Sequence, residues 1–301
     1  MPKLLIVITG PTAVGKTKTG IKVARNLNTE IVSADSRQIY RELKIGTAVP
    51  SEEELKAVRH HFIQTHSIFQ NYNASIYEKD CLELLESLFK RYDNIIMTGG
   101  SMLYIDAVCR GIDDMPDADP IVRRTLKARL AGEGLESLRL QLKQLDPHYY
   151  YETDLKNPAR IIHALEICIT SGKPYSSFRS NTNKKRPFEI IKTGINCERN
   201  ELHYRINKRV DEMVAAGLEN EARAFFKYKH LNALNTVGYR EFFNYFEQKI
   251  SREKAIDLIK RNTRRYARKQ ITWFKNDPGM NWFQTGEEDE IIKLINEKIH
   301  G

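Results

Sequence analysis

A glycine-rich segment near the N-terminus has the residue types and spacing of a phosphate-binding loop. It matches the pattern GxxxxGK[ST] without a gap and consists of Gly10, Pro11, Thr12, Ala13, Val14, Gly15, Lys16 and Thr17. The glycines let backbone N–H groups turn towards an anion, and the helix that follows adds its partial positive charge. Lys16 would reach the outer phosphate, and the Thr17 hydroxyl would bind Mg²⁺. The pattern predicts a bound diphosphate but does not say which molecule carries it.

A second polar group follows the next apolar run and contains Asp35, Ser36, Arg37 and Gln38. Asp35 has three roles open to it on residue type alone. It could hold Mg²⁺ through water, act as a general base towards a nucleophile, or cap a helix N-terminus. Gln38 has the amide needed to pair with an adenine edge.

The elements that would position these residues alternate between strands and helices. Apolar runs that predict strands occur at residues 4–9, 30–33, 94–98 and 188–195, and helical periodicity occurs at 16–26 and 76–89. Strand, glycine turn and helix in repetition indicate an α/β fold, a P-loop NTPase-like parallel sheet flanked by helices. Ligands of such sheets lie beyond the carboxyl ends of the strands. The sequence therefore predicts that the P-loop, Asp35 and the turn at residues 99–101 meet at one edge.

A change in composition marks a second lobe. Residues 113–120 form a polar segment punctuated by proline, which predicts a linker. Three helical segments follow it, at residues 121–130, 135–145 and 158–170. We therefore predict a catalytic core made of residues 1–115 and 176–301, with residues 116–175 inserted as a helical lobe.

The bulk properties limit the class of protein. The chain has 301 residues and a formal net charge of +9, which is compatible with a nucleic-acid partner. It has neither an apolar run of about 18 residues nor an export signal, which predicts a cytoplasmic protein away from membranes. Nothing in the sequence demands more than a monomer. Four widely spaced cysteines indicate buried thiols in a reducing compartment: Cys81, Cys109, Cys168 and Cys197.

The positive charge is concentrated near the C-terminus. Residues 252–275 contain nine Lys or Arg and two acidic residues. Helical spacing places five of the basic residues on one broad face: Arg261, Arg264, Arg265, Arg268 and Lys269. It predicts an opposite, buried face of Ile256, Ile259, Tyr266 and Trp273. The charge density favours contact with a phosphate backbone.

Several segments together resemble the tRNA dimethylallyltransferase family, of bacterial type. They are GPTAVGKT, SADSRQIYRELKIGTAVPS, TGGSMLYIDAV, NPARIIHALEICITSGKP, ERNELHYRINKRVDEMVAAGLENE, TVGYREF and RNTRRYARKQITWFK. The resemblance runs nearly end to end, with the motifs in order. It departs from the family after His60 and His61, where Gln64 stands in place of an Asp and residues 65–77 lack a proline.

The resemblance implies a reaction. The family moves a dimethylallyl group from its diphosphate to N6 of the adenosine directly 3′ of the anticodon, tRNA position 37. The P-loop would then hold dimethylallyl diphosphate with Mg²⁺ on Thr17, and Asp35 would be the general base. Ser101 stands where the family has Thr near the reacting centre, and Arg205 resembles the family's diphosphate-binding arginine.

The resemblance also implies contacts with the anticodon stem-loop of tRNA. The segment from Asp35 to Gln38, together with Ser101, would touch the target adenosine and its neighbours. The other positions that fall in tRNA-contacting segments are Arg123, Pro158, Ala159, Arg160, Ile161 and Ile162. Arg264 and Arg268 on the basic helix complete the predicted contacts.

Three other functions remain open from the residues. A small-molecule kinase with a P-loop would bind ATP and need no RNA. An adenylate isopentenyltransferase would share the P-loop and Asp35 but accept a free nucleotide. A non-catalytic RNA-binding protein would not need both Lys16 and Asp35.

Overall fold

A parallel β-sheet is the centre of the fold in the computed structural model. The structure describes residues 3–116, 119–179 and 183–300. Within these residues the sheet has six strands in the order β3-β2-β4-β1-β5-β6. Their bounds are β1 Leu4–Thr9, β2 Ile31–Ala34, β3 His60–His61, β4 Asn94–Gly99, β5 Glu189–Asn196 and β6 Met280–Gln284. Every neighbouring pair is parallel. The predicted α/β fold with a parallel sheet is confirmed.

Some of the helices cover the sheet, and others form the smaller compact unit described below. In chain order they are α1 Lys16–Asn26, α2 Glu52–Ala57, α3 Ala74–Leu88, α4 Met102–Arg110, α5 Pro120–Glu133, α6 Leu135–Leu145, α7 Pro147–Glu152, α8 Pro158–Ser171, α9 Arg199–Ala215, α10 Leu218–Ala224, α11 Tyr239–Phe246, α12 Arg252–Lys275 and α13 Glu288–His300. No helix of the described residues has the length and apolarity that crossing a membrane requires.

The central strand β1 explains why its sequence is apolar without alternation. All six of its residues are buried. Leu5 and Val7 pack into the core on one face of the sheet, whereas Leu4, Ile6 and Ile8 pack into the core on the other. A parallel strand that is covered by helices on both faces has no solvent side, so a continuous apolar run is the expected signal.

Residues 111–184 form a compact unit of their own, and residues 1–110 with 185–301 form the other. The smaller unit contains α5, α6, α7 and α8, and the bounds of α5, α6 and α8 agree with the predicted helices within a few residues. Its core contains Leu126, Leu138, Leu142, Ile161 and Leu165. The unit begins before residue 116 and ends after residue 175. Of the predicted linker at 113–120, residues 117 and 118 lie outside the described part of the chain.

Candidate active site

The carboxyl ends of β1, β2 and β4 meet at one edge of the sheet, because these strands are neighbours in the order β2-β4-β1. Two cavities open at this edge. The larger, of about 540 Å³, is lined by the P-loop and by Gly99 and Gly100 after β4. The smaller, of about 300 Å³, is lined by Ser101. Asp35 lines both, so the predicted meeting of the three segments is confirmed.

The P-loop adopts the backbone conformation of an anion cradle. Gly10 and Gly15 have φ angles of 145° and 107°, and Ala13 between them has a φ of 67°. A Cβ on Gly10 would lie 2.3 Å from the carbonyl oxygen of Ile195, so the close approach to β5 requires glycine. Gly15 caps α1 without a side-chain hydrogen bond, which leaves the helix N-terminus to face an anion.

Lys16 lines the larger cavity. Its Nζ donates a hydrogen bond to the carbonyl oxygen of Pro11, at 2.8 Å. Burial lowers the pKa of Lys16 to about 8, and the positive charge of Arg209 acts in the same direction, whereas Asp35 raises it. Lys16 and Arg209 together carry more positive charge than Asp35 neutralises, and an excess of positive charge favours the binding of a polyanion.

Arg209 on α9 is a candidate that sequence reasoning missed. It lines both cavities, and among the described residues the hydrogen bonds of its guanidinium are long, 3.5 Å to Thr12 Oγ1 and 3.4 Å to Ala48 O. Burial lowers its pKa, and Asp35 opposes that effect. Arg209 could have been identified from the sequence because it follows Arg205 by one helical turn and therefore lies on the same face of the helix.

Arg205, the arginine predicted to bind diphosphate, lines the larger cavity but not the smaller one. Its guanidinium is paired with Glu201 and reaches Val14 O at 3.4 Å. A salt bridge with a carboxylate on its own helix reduces the charge that Arg205 presents to a ligand. Arg209 is therefore the better placed of the two arginines.

Asp35 forms a turn directly after β2. Its Oδ1 accepts hydrogen bonds from the backbone N–H groups of Arg37 (2.8 Å) and Gln38 (3.2 Å). The helix N-cap considered for this residue is not what forms, because the next helix begins at Glu52 with Ser51 as its cap; Asp35 instead closes a turn through one carboxylate oxygen. In the described part of the chain, no hydrogen bond to Oδ2 accompanies these two.

The neighbours of Asp35 are held by specific contacts. Ser101 Oγ accepts a hydrogen bond from Ser36 N (2.8 Å) and donates one to Ser36 Oγ (3.0 Å). The Gln38 amide donates to Thr47 O and Ala48 O, at 3.2 and 2.9 Å. Arg37 donates to Asn232 O and Ala233 O. These contacts fix the positions of the side chains predicted to surround an adenosine, but they already use both amide donors of Gln38 and the Nη1 donors of Arg37.

The smaller cavity has an apolar wall. Its apolar lining residues come from α9, the segment before α11, and α12: Ile206, Val210, Met213, Val237 and Ile259. Tyr266 of α12 lies at both cavities, and burial raises its pKa to about 12. A cavity lined by both charged and apolar side chains suits an amphiphilic molecule.

The buried face of α12 differs from the predicted one. Ala255, Ile259, Ala267, Gln270 and Phe274 are buried. Tyr266 and Trp273, which were predicted to be buried, are 38% and 41% exposed. Both are amphipathic rings, and the Trp273 indole donates a hydrogen bond to Asp106 at 2.8 Å, so each keeps a polar edge outside the core.

The predicted tRNA contacts divide into accessible and buried residues. Arg268 is exposed, whereas Arg264 is half-buried and donates a hydrogen bond to Asn207. In the smaller unit, Arg123 pairs with the buried carboxylate of Glu166 at 2.6 Å.

The first turn of α8 holds the remaining predicted contacts. Pro158, Ala159 and Arg160 are exposed. Ile161 and Ile162 pack into the core of the smaller unit. Their burial corrects the prediction that their side chains contact tRNA.

The Thr17 hydroxyl and the Asp35 carboxylate both line the larger cavity, which gives a magnesium ion hard oxygen ligands. Among the described residues there is no cluster of three His, Cys, Asp or Glu side chains that could hold a metal by themselves. Mg²⁺ usually keeps several waters and takes ligands from substrate phosphates. The site therefore fits a magnesium ion that arrives with a diphosphate.

Comparison with known proteins gives consistent results. A family model described as IPP transferase matches residues 38–277. The chain is 51% identical over 300 residues to tRNA dimethylallyltransferase 1 of Phocaeicola vulgatus, with 100% of each chain covered. It is 53% identical over 292 residues to tRNA dimethylallyltransferase 2 of Porphyromonas gingivalis, with 97% of each covered.

Solved structures show the same fold. The tRNA isopentenylpyrophosphate transferase of Bacillus halodurans superposes with a TM-score of 0.73 at 33% identity, over 99% of this chain and 97% of that one. A eukaryotic dimethylallyltransferase acting on tRNA superposes with a TM-score of 0.83 at 22% identity, over 99% of this chain and 79% of that one.

Proposed function

The chain belongs to the IPP transferase family, and from this premise we propose that it transfers a dimethylallyl group from dimethylallyl diphosphate to N6 of the adenosine directly 3′ of the anticodon in tRNA. The family assignment confirms the resemblance found in the sequence. One observation carries the proposal: Asp35 and Arg209 line both the phosphate-binding cavity and the cavity with an apolar wall. Transfer of a group between two bound substrates requires a base and a cation where the two cavities meet.

The larger cavity is the proposed diphosphate site. The P-loop amides, Lys16 and Arg209 would bind the phosphate oxygens, with Arg205 at the outer edge. Thr17 would hold the magnesium ion, which supplies further positive charge to the leaving group. These groups stabilise the charge that collects on the diphosphate as it departs.

Asp35 is the proposed general base. The lone pair of the adenine exocyclic amine is delocalised into the ring, so the amine is a weak nucleophile. As the nitrogen forms a bond to the allylic carbon, the bond from that carbon to the diphosphate oxygen breaks and the oxygen keeps the electron pair. The amine proton passes to Asp35. Because Oδ1 is fixed by two backbone N–H groups, Oδ2 is the oxygen that we assign to accept the proton.

The apolar wall favours prenyl transfer over phosphoryl transfer. Five aliphatic or thioether side chains line the smaller cavity, namely Ile206, Val210, Met213, Val237 and Ile259. A five-carbon prenyl chain gains free energy from such contacts, about 0.8 kcal/mol per buried methylene. A small-molecule kinase transfers only the terminal phosphate and has no use for this wall beside the phosphate site.

The acceptor is proposed to be tRNA because the relatives are named for it and because α12 carries basic residues at this edge. Arg264 and Arg268 would contact the phosphate backbone, and so would Arg123 and Arg160 of the smaller unit. Ser101 and the segment from Asp35 to Gln38 would contact the adenosine and its neighbours. Free AMP lacks the backbone that these basic residues would bind.

Transfer of label from dimethylallyl diphosphate, radioactive in the dimethylallyl group, tests the proposal. Unmodified tRNA with Mg²⁺ should acquire label, whereas AMP should not, and ATP should not be hydrolysed. In Asp35→Asn the amide oxygen can still accept the two turn hydrogen bonds, but the amide cannot take a proton. We expect that variant to bind tRNA normally and to transfer about 10²–10⁴-fold more slowly.

Two outcomes would overturn the assignment. Labelled AMP at a rate equal to tRNA would indicate an adenylate isopentenyltransferase. ATP consumption without labelled RNA would indicate a kinase. A normal transfer rate in Asp35→Asn would leave the reaction standing and remove Asp35 as its base.

A further inference from the structure

The side-chain amide of Gln270 joins three elements at the centre of the site. Its Oε1 accepts a hydrogen bond from the backbone N–H of Thr12 in the P-loop, at 2.9 Å. Its Nε2 donates to the carbonyl oxygen of Gly100, at 2.8 Å. The residue lies in the middle of α12 and is only 2% exposed. A buried amide with both ends paired is a strong geometric constraint, because neither bond can be exchanged for one to water.

The contact with Gly100 depends on glycine at that position. A Cβ there would lie 2.3 Å from Nε2 of Gln270 and 3.6 Å from Nζ of Lys16. The backbone of the turn between β4 and α4 therefore approaches the Gln270 amide more closely than a residue with a Cβ would allow, whereas the distance to Lys16 is an ordinary van der Waals contact. The amide, the turn and the P-loop lysine form one packed unit.

The two bonded groups belong to two different segments of the proposed site. Thr12 is part of the diphosphate loop, and Gly100 directly precedes Ser101. Ser101 in turn donates its N–H to Ala34 O at 3.1 Å and binds Ser36 through its hydroxyl. A change at Gln270 would therefore alter the spacing between the phosphate cradle and the turn that carries Asp35.

We infer that Gln270 is a positioning residue for group transfer: its amide sets the distance between the P-loop and the segment that holds the base. This inference rests on the proposed function. It assigns a role to a side chain that contacts neither reacting atom. A misplacement of about 1 Å by a residue away from the chemistry can slow a reaction about 10²-fold, since reacting groups need close alignment.

A purely structural role makes a different prediction. If Gln270 only supported the fold, its loss would lower the melting temperature and the folded fraction. Each folded molecule would still bind and react as before. The two roles are separated by rates and affinities expressed per folded molecule.

The test compares Gln270→Leu and Gln270→Glu with Gln284→Leu, which makes the same change at an exposed position of β6. Gln270→Leu keeps a similar volume, removes the partner of Thr12 N–H, and leaves Gly100 C=O with the long 3.4 Å hydrogen bond from the Tyr266 hydroxyl. Gln270→Glu is isosteric and still accepts from Thr12 N–H, but it loses the donor and adds a negative charge near Lys16. The measurements are kcat, KM for tRNA, and the calorimetric Kd of dimethylallyl diphosphate without tRNA, all corrected for the folded fraction.

We expect Gln270→Leu to lower kcat about 10–100-fold while KM for tRNA stays within about twofold. We expect Gln270→Glu to weaken dimethylallyl diphosphate binding about tenfold through charge repulsion. Gln284→Leu should match the wild type. If kcat per folded molecule stays within about twofold of the wild type in Gln270→Leu, the inference is wrong. If the wild type does not label tRNA, the proposed function fails and the inference fails with it; wild-type labelling with an unchanged kcat in Gln270→Leu refutes the inference alone.

Discussion

Raising the pH tests how Lys16 holds the diphosphate. The pKa of Lys16 is lowered from 10.5 to about 8, first by burial and then by Arg209. Only the ammonium form donates hydrogen bonds and charge to a phosphate. A lysine with a depressed pKa is charged below that pKa and neutral above it. The affinity for dimethylallyl diphosphate should therefore be close to its maximum at pH 7 and decrease through pH 8.

The magnitude follows from the pKa. If only the protonated enzyme binds, the affinity should be about tenfold weaker at pH 9 than at pH 7, and about tenfold weaker again at pH 10. The diphosphate itself does not titrate in this range, because its last pKa is near 6. The phenol of Tyr266, with a pKa of about 12, also lies outside the range.

Calorimetry without tRNA gives the affinity directly, since no transfer takes place. Lys16→Arg is the matched control, because a guanidinium stays charged throughout and its affinity should not vary with pH. Equal wild-type affinities at pH 7 and pH 9.5 would refute the argument. So would the same loss of affinity in Lys16→Arg, which would assign the titration to another group.

Two further predictions concern the arginines. Arg209→Ala should lower kcat/KM for dimethylallyl diphosphate about 10²–10³-fold. Arg205→Ala should lower it by less than tenfold, because Arg205 is already paired with Glu201. Steady-state kinetics measures both values, and a larger loss in Arg205→Ala would make Arg205 the main diphosphate-binding arginine. Replacing Arg264 and Arg268 together by Ala should reduce the slope of log affinity for tRNA against log salt by about 2. Lys254→Ala, a charge removed from the exposed start of the same helix, is the control, and an unaltered slope in the double variant would exclude this face from the interface.

The strands and helices that the sequence predicted correctly are those whose signal is local. β1 is a continuous apolar run, and α1 begins directly at the lysine of the P-loop. The two short edge strands escaped prediction. β3 has only two residues, and β6 is only partly buried, with Asn281 and Gln284 exposed. A short edge strand is recognised by its hydrogen bonds to the adjacent strand, and the sequence alone does not show which segment lies beside it.

The P-loop and Asp35 could be found because their residue types and spacing describe their chemistry. Arg209 and Gln270 could not, since their importance depends on which other segments they meet. On α12 the apolar face was predicted from residue type, which favoured Tyr266 and Trp273 over Gln270. The structure buries Gln270 because both ends of its amide are paired. Tertiary hydrogen bonds can place a polar side chain inside when helical periodicity alone would place it outside.

Asp35 shows how a local structural role and the proposed role of general base can belong to one side chain. One carboxylate oxygen fixes the turn through Arg37 and Gln38, so the side chain cannot rotate freely. Fixing one oxygen also fixes the direction of the other, and a general base must be aimed as well as basic. In the proposed reaction this turn would contribute to catalysis, because it orients the remaining oxygen before either substrate arrives.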